Sequence, residues 1–266
     1  MVISGELRNL EDVIEGFSLQ EQAYRQARDR RSVFLSIYLM MSREMQQRIE
    51  AGEFLDNQWM TRYVVAFANF YVRALAAYEG GDWEAVPKAW RIAFDASRSG
   101  DSLVLQDLLL GINAHINNDL ALALHDVSID PGRQRRYDDH VAVNNVLGSL
   151  MDPAEKRIGE MYAPALARLG EAVRPFDRVT AGFSLEVARE SAWEAAVSLA
   201  NARSDFERGL VRKGLNLRSA VLARLILVPN VNPTLLDALR KFEQGADWWN
   251  WLPVGAYGVA SSSPLP

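Results

Sequence analysis

Histidine is scarce in this chain, three in 266 residues, and two of the three fall in one run, Gly111-Ile-Asn-Ala-His-Ile-Asn-Asn-Asp-Leu-Ala-Leu-Ala-Leu-His125. If the run is helical, His115 and Asp119 stand one turn apart on one face. At about 100° per residue, Val104, Leu108, Ile112 and Leu122 share that face to within roughly 60°. The pair therefore points into the core, where an imidazole and a carboxylate are costly unless each has a hydrogen-bond partner or a metal. Two chemistries follow from these residue types. An imidazole oriented by a carboxylate is a general acid or base, with Asn113 and Asn117 placed to hold substrate or water. Alternatively, His115 and Asp119 are two ligands of a divalent metal that activates water.

The third histidine has a similar neighbour, in Asp138-Asp139-His140-Val-Ala-Val-Asn144-Asn145. His140 and Asn144 share an arc with Val143, Leu147 and Met151, so two consecutive helices present His-x-x-x-Asp and His-x-x-x-Asn inward. As antiparallel neighbours they could bring these four side chains together. Imidazole and oxygen donors suit one zinc, iron or manganese, with His115, Asp119 and His140 as ligands. Asn144, Glu190 and Trp193 are expected on the substrate side, Glu190 sharing a face with Glu186, Trp193 and Val197. The competing reading is a buried hydrogen-bond network, with His115 satisfied by Asp119, the asparagines bridging helices, and Glu186 or Glu190 paired with Arg189. His125 lies near the helix end, where a cation complements the dipole.

The elements that must position these residues are helical, since no run alternates like a strand for more than a few residues. The spacing predicts helices over 19–51, 56–79, from Asp82 to a break at Ser97–Gly100, after Asp101, and over 135–151. Asp130-Pro-Gly is a turn signal. Asp152-Pro153 predicts a new helix with proline at its first position. Pro175 separates this from helices over 182–203 and 205–227 and a short one from Pro233. The expected fold is an all-α, single-domain irregular bundle of about eight to ten helices, spanning residues 1–250 and followed by an irregular tail over 251–266. The Trp248-Trp249-Asn-Trp251 group reads as a packed cap, and no fixed-period repeat is present.

Composition narrows the function classes. With no cysteine, disulfides, thiolate nucleophiles and sulfur-based metal sites are excluded. Lys and Arg number 29 against 34 Asp and Glu, a net charge of −5 that gives no reason to expect nucleic acid; the short runs Arg28–Arg31 and Arg133–Arg136 read as solvated faces or loops. No signal-peptide pattern and no membrane span is present, so a cytoplasmic protein is expected. Phosphate-loop, dinucleotide and nucleophile-elbow motifs are absent.

The run Leu108–Leu120, the Asp139–Leu147 segment with Val143-Asn144, and Phe183-Ser-Leu-Glu-Val-Ala-Arg-Glu-Ser-Ala-Trp193 together resemble an uncharacterised bacterial family, domain of unknown function 5995, over residues of about 30 to 205. Asn-Ala-His-Ile-Asn-x-Asp-Leu is the most specific part. That resemblance implies no reaction. A second, local one does: His115-x-x-x-Asp119-x5-His125 followed by His140-x-x-x-Asn144 is similar to the metal-binding pattern of zinc-dependent phospholipase C and the related single-strand nucleases. It implies one zinc on His115 and Asp119 and another on His125 and His140. Asn144 stands where that pattern has a carboxylate, and no histidine precedes position 115, so a three-zinc cluster is excluded. A reduced one-metal site could be completed by Asp139, Glu190 or Asp56.

The sequence thus favours a divalent-metal hydrolase or lyase acting on a small, partly hydrophobic molecule. A metal-free acid–base or cyclisation enzyme with an apolar pocket and a non-catalytic helical protein that binds a hydrophobic ligand or partner are the alternatives.

Overall fold

The helix that carries the first motif is buried on nearly every side, which an amphipathic reading does not anticipate. In the computed structural model, which describes residue 3 and residues 5–169, 184–228 and 233–245, it is one continuous element in three parts: α5 (Val104–Ala114), a π-helical turn (His115–Asp119) and α6 (Leu120–Asp126). Every residue from Asn113 to Ala121 is buried. A helix enclosed all round belongs at the centre of a bundle, and the helices Ser32–Glu50, Asn57–Gly80, Lys88–Ser99, Leu185–Asn201 and Asp205–Leu227 pack around it.

The surrounding elements are α1 (Leu10–Gln26), α2 (Ser32–Glu50), α3 (Asn57–Gly80), α4 (Lys88–Ser99), α7 (Arg133–Leu169), α8 (Leu185–Asn201), α9 (Asp205–Leu227) and α10 (Pro233–Gly245). The fold is an all-α bundle, with no strand among the described residues. Side-chain oxygens start several helices by accepting orphan backbone N–H groups: Asn9 takes that of Asp12 at 2.8 Å, Asp56 that of Trp59 at 3.0 Å and Ser204 that of Glu207 at 3.2 Å. No helix among the described residues is long and apolar enough to cross a membrane.

Three boundaries differ from the sequence expectation. The span 19–51 is divided between α1 and α2 by a turn in which Arg28 adopts φ 54°, and Arg30 reaches across to Asp107 at 2.7 Å. The third helix begins only after Pro87, because a residue before proline disfavours the α region; Asp82 instead caps a short turn. Conversely, α7 runs through Asp152-Pro153 without restarting. Pro175, the Trp248–Trp251 group and the 251–266 tail lie outside the described residues.

Among the described residues two large apolar cores lie in the bundle. One gathers Phe17, Phe34, Tyr38, Tyr71, Trp90 and Ala114; the other gathers Trp59, Tyr63, Ile116, Leu120, Val143 and Trp193. Ala114 belongs to the first and Ile116 to the second, so His115 sits at their seam.

Candidate functional site

Gly111 sets the height of the site. A Cβ built there would lie 2.4 Å from Cγ of Phe34, well inside van der Waals contact. The missing side chain lets α2 approach the central helix and lay the Phe34 and Tyr38 rings beside His115. Immediately after it the backbone opens into the π-turn, closed by the Leu120 N–H donating to the His115 carbonyl five residues back. Such turns add a residue to a helix and cluster at functional sites. Here the widened turn buries all five of His115, Ile116, Asn117, Asn118 and Asp119.

Asp119 is held by three donors. His115 Nδ1 lies 3.1 Å and Trp90 Nε1 2.7 Å from its Oδ2, and Asn118 Nδ2 lies 2.8 Å from Oδ1. Because the carboxylate accepts, the His115 proton sits on Nδ1, which leaves Nε2 with a lone pair. That nitrogen is buried and has no hydrogen-bond partner among the described residues; the Tyr38 hydroxyl is in the same condition. The imidazole is boxed by rings. Phe67 stacks on it at 3.5 Å between centroids and 7° between planes, Tyr38 meets it edge-on at 4.5 Å, and Phe34 and Trp90 close the sides at 6.0 and 5.9 Å. Burial pushes the His115 pKa below the ordinary imidazole value, and Asp119 offsets only part of this. Burial and the Asp119 charge raise the Tyr38 phenol well above its usual range.

Asn113 and Asn117 face α9 and not the imidazole. Asn113 Nδ2 donates to the Ser219 carbonyl at 2.9 Å, Asn117 Nδ2 to Asn113 Oδ1 at 3.1 Å, and Arg218 reaches Asn117 Oδ1 at 3.4 Å. This chain of hydrogen bonds bridges the central helix and α9.

His140 forms a separate centre. Its Nε2 lies 3.2 Å from the Arg189 carbonyl, so Nε2 carries the proton; Nδ1 faces the Tyr63 hydroxyl and Arg189 Nη2, each at 3.4 Å. Both nitrogens are therefore engaged, and burial together with the Arg189 charge pushes this pKa well down. Asn144 accepts from Arg189 Nε at 2.8 Å. Tyr63 and Phe67, stacked along α3 at 6.2 Å, stand between the two histidines, one touching each.

On α8 the inward residue is Arg189, and Glu186 and Glu190 are exposed; Glu190 accepts from the Tyr137 hydroxyl at 3.0 Å. The face expected from the sequence groups Glu186 and Glu190 with Trp193 and Val197, and of these only Trp193 is buried. The true inner stripe is Ala188, Ala192, Trp193, Ala196 and Leu199, whose small residues give little hydrophobic signal yet permit close packing. Trp193 is buried against His140 at 5.3 Å. Asp139 accepts the backbone N–H groups of Leu55 and Asp56 at 2.7 and 2.8 Å, fixing α7 to the start of α3. His125 is partly exposed near Asp126, Arg208 and Arg212.

The donors that a metal centre needs are thus dispersed. Among the described residues no three of His, Asp or Glu converge, Asp139 and Asp56 are committed to a helix start, and His140 has no free nitrogen. The phospholipase and nuclease likeness stops at the short motif. Sequence reasoning does not single out Trp90 as the residue that anchors Asp119, although its place on the inner side of α4 is readable, or Phe67 as the stacking partner of His115.

These features define an all-helical protein built around a buried His–Asp pair on a π-turn of its central helix. The chain belongs to the family of unknown function DUF5995, whose family model matches residues 10–229 and so takes in all three histidines. No curated protein and no solved structure matches the chain.

Proposed function

We propose that this protein is a metal-independent acid–base enzyme for a small, partly hydrophobic molecule, with His115 as the base. One observation carries the reading: Nδ1 of His115 is fixed by a triply held carboxylate while Nε2, the basic atom, is left without a partner in a box of aromatic rings. Asp119 holds the ring in the tautomer that exposes the lone pair and stabilises the cation formed when Nε2 takes a proton. The aromatic walls fix the chemical class of what can lie against that atom, an apolar body with one proton-bearing group. The Tyr38 hydroxyl is a second uncommitted polar atom at the same box. Neither His140 nor Glu190 takes part.

A panel of small apolar esters, lactones and ketones tests this. Wild-type protein should convert at least one of them, and His115→Asn should lower the rate by about 10²–10⁴-fold, the usual contribution of a positioned base, with an unchanged circular dichroism spectrum. Equal turnover by the variant would remove His115 from the chemistry.

The enclosure of all five residues from His115 to Asp119 favours one other reading, a purely structural network. On that reading no compound is turned over, and His115→Asn and Asp119→Asn both lose helix content. Elemental analysis of untagged protein separates either reading from a metal enzyme, which would hold stoichiometric zinc, iron or manganese.

A further inference from the structure

The outward face of α9 answers to nothing at the His115 site. Phe206, Leu210, Leu217, Val221, Leu225 and Val228 are each between 49% and 78% exposed. At about 100° per residue they occupy one arc of roughly 100°, opposite the Leu215, Ser219, Ala223 and Ile226 side that packs on the bundle. The helix is thus apolar on two sides. It has 23 residues, which makes the outer stripe about 34 Å long at 1.5 Å per residue. A continuous apolar strip of this size marks a contact surface.

Charge identifies the counter-surface. Between Arg208 and Val228 the chain carries Arg208, Arg212, Lys213, Arg218 and Arg224 and no acid, although the whole molecule has a net charge of −5. By the same angular count Lys213 and Arg224, both exposed, border the stripe on one edge. Their aliphatic stems can lie along apolar surface while the charged heads reach outward. Asp205 and Glu207 sit only in the first turn, and both are engaged, Asp205 with Arg208 and Glu207 with the Arg203 backbone N–H. A second copy laid along this face would set the bordering cations Lys213 and Arg224 against cations of the same sign. A negatively charged lipid surface instead meets both features at once, with headgroups for the cations and the acyl boundary for the six apolar side chains.

We propose that α9 docks this protein on anionic membranes, the helix lying in the plane of the surface with the Phe206–Val228 stripe in the headgroup boundary. The docking is peripheral and needs no spanning segment. Flotation of the full chain with vesicles of phosphatidylcholine, alone or mixed with phosphatidylglycerol, tests it. Binding to the mixed vesicles should be at least about tenfold tighter than to the neutral ones, and the difference should shrink in high salt. The double variant Leu217→Gln/Leu225→Gln should bind at least about tenfold more weakly with an unaltered melting temperature, since both positions face outward, and Lys213→Glu/Arg224→Glu should lose the preference for anionic lipid. Failure of the wild type to float with the mixed vesicles overturns the proposal, as does undiminished binding by the Leu217→Gln/Leu225→Gln variant. A dimer seen by light scattering and abolished by that variant would assign the stripe to a second copy instead, and an acidic protein that competes for it in place of lipid would likewise displace the membrane.

Discussion

His115 and His140 each precede a polar side chain by four residues, yet they end in opposite chemical conditions. His140 has both nitrogens occupied and lies beside a buried guanidinium, so it gives rigidity and no free valence. His115 spends one nitrogen on Asp119 and keeps the other free. A base must be neutral to act, so activity should rise with pH through an apparent pKa below the ordinary imidazole value of 6.5 and stay level above it. A rate profile over the acid range checks this; activity that first appears only well above pH 7 would point to another group. The His115–Asp119 pair is legible in the sequence itself, from residue types and spacing. That Asp139 serves a helix start is not, because it depends on the Leu55–Asp56 backbone meeting it in space.

The helices themselves are largely readable from the sequence, but the π-turn is not. It lies within Asn113–Ala121, a stretch buried on every side, so no apolar face in the sequence marks where the period widens. Gly111 is the local counterpart of this crowding. Gly111→Ala would gain about 1 kcal/mol of helix propensity, but its Cβ meets the Phe34 ring, and overpacking of this kind costs typically ~1–3 kcal/mol. A net loss of stability is expected in urea denaturation, and it should shrink when Phe34→Leu is added, since contacting positions couple. A net gain from the single substitution would show that α2 can retreat freely. At the other end of α5, Glu243 of α10 accepts the Val104 N–H at 3.1 Å, with Arg30 at 3.6 Å. Burial outweighs Arg30 and lifts this carboxyl to about 7 from 4.5. The folded protein therefore keeps a proton that the unfolded chain releases between those values, and the associated stability is full at low pH and lost as pH rises through about 7. Glu243→Gln should flatten this part of the pH dependence, read from exchange protection of the Val104 amide.

At the scale of the whole molecule, two cores meet at the central helix, with neutral His115 at their seam and neutral His140 within the second. Both imidazoles have depressed pKa values, so as pH falls below 6.5 the unfolded chain takes up protons before the folded one and stability declines, opposite in sign to the Glu243 effect. His140→Gln should reduce the drop in melting temperature between neutral and mildly acid solution; an undiminished drop would place the acid sensitivity elsewhere. The all-α architecture is legible from periodicity alone. The phase of α8 is not, because the alanines that form most of its inner face carry little hydropathy contrast, and the inward residue is Arg189 where the sequence reading places Glu190. The lack of acidic residues between Arg208 and Val228 is visible in the sequence, but only the packing shows which of the two apolar sides of α9 faces outward.

The chemistry proposed for the site depends on His115 being held as the Nδ1–H tautomer with a free, neutral Nε2. Long-range ¹H–¹⁵N correlation of the imidazole nitrogens, with His115→Asn used to assign the signals, reads this directly. A protonated Nδ1 and an unprotonated Nε2 are expected at neutral pH, with no change until the solution is more acid than the ordinary imidazole pKa. An Nε2–H tautomer, or a His115 already charged at pH 7, would contradict it.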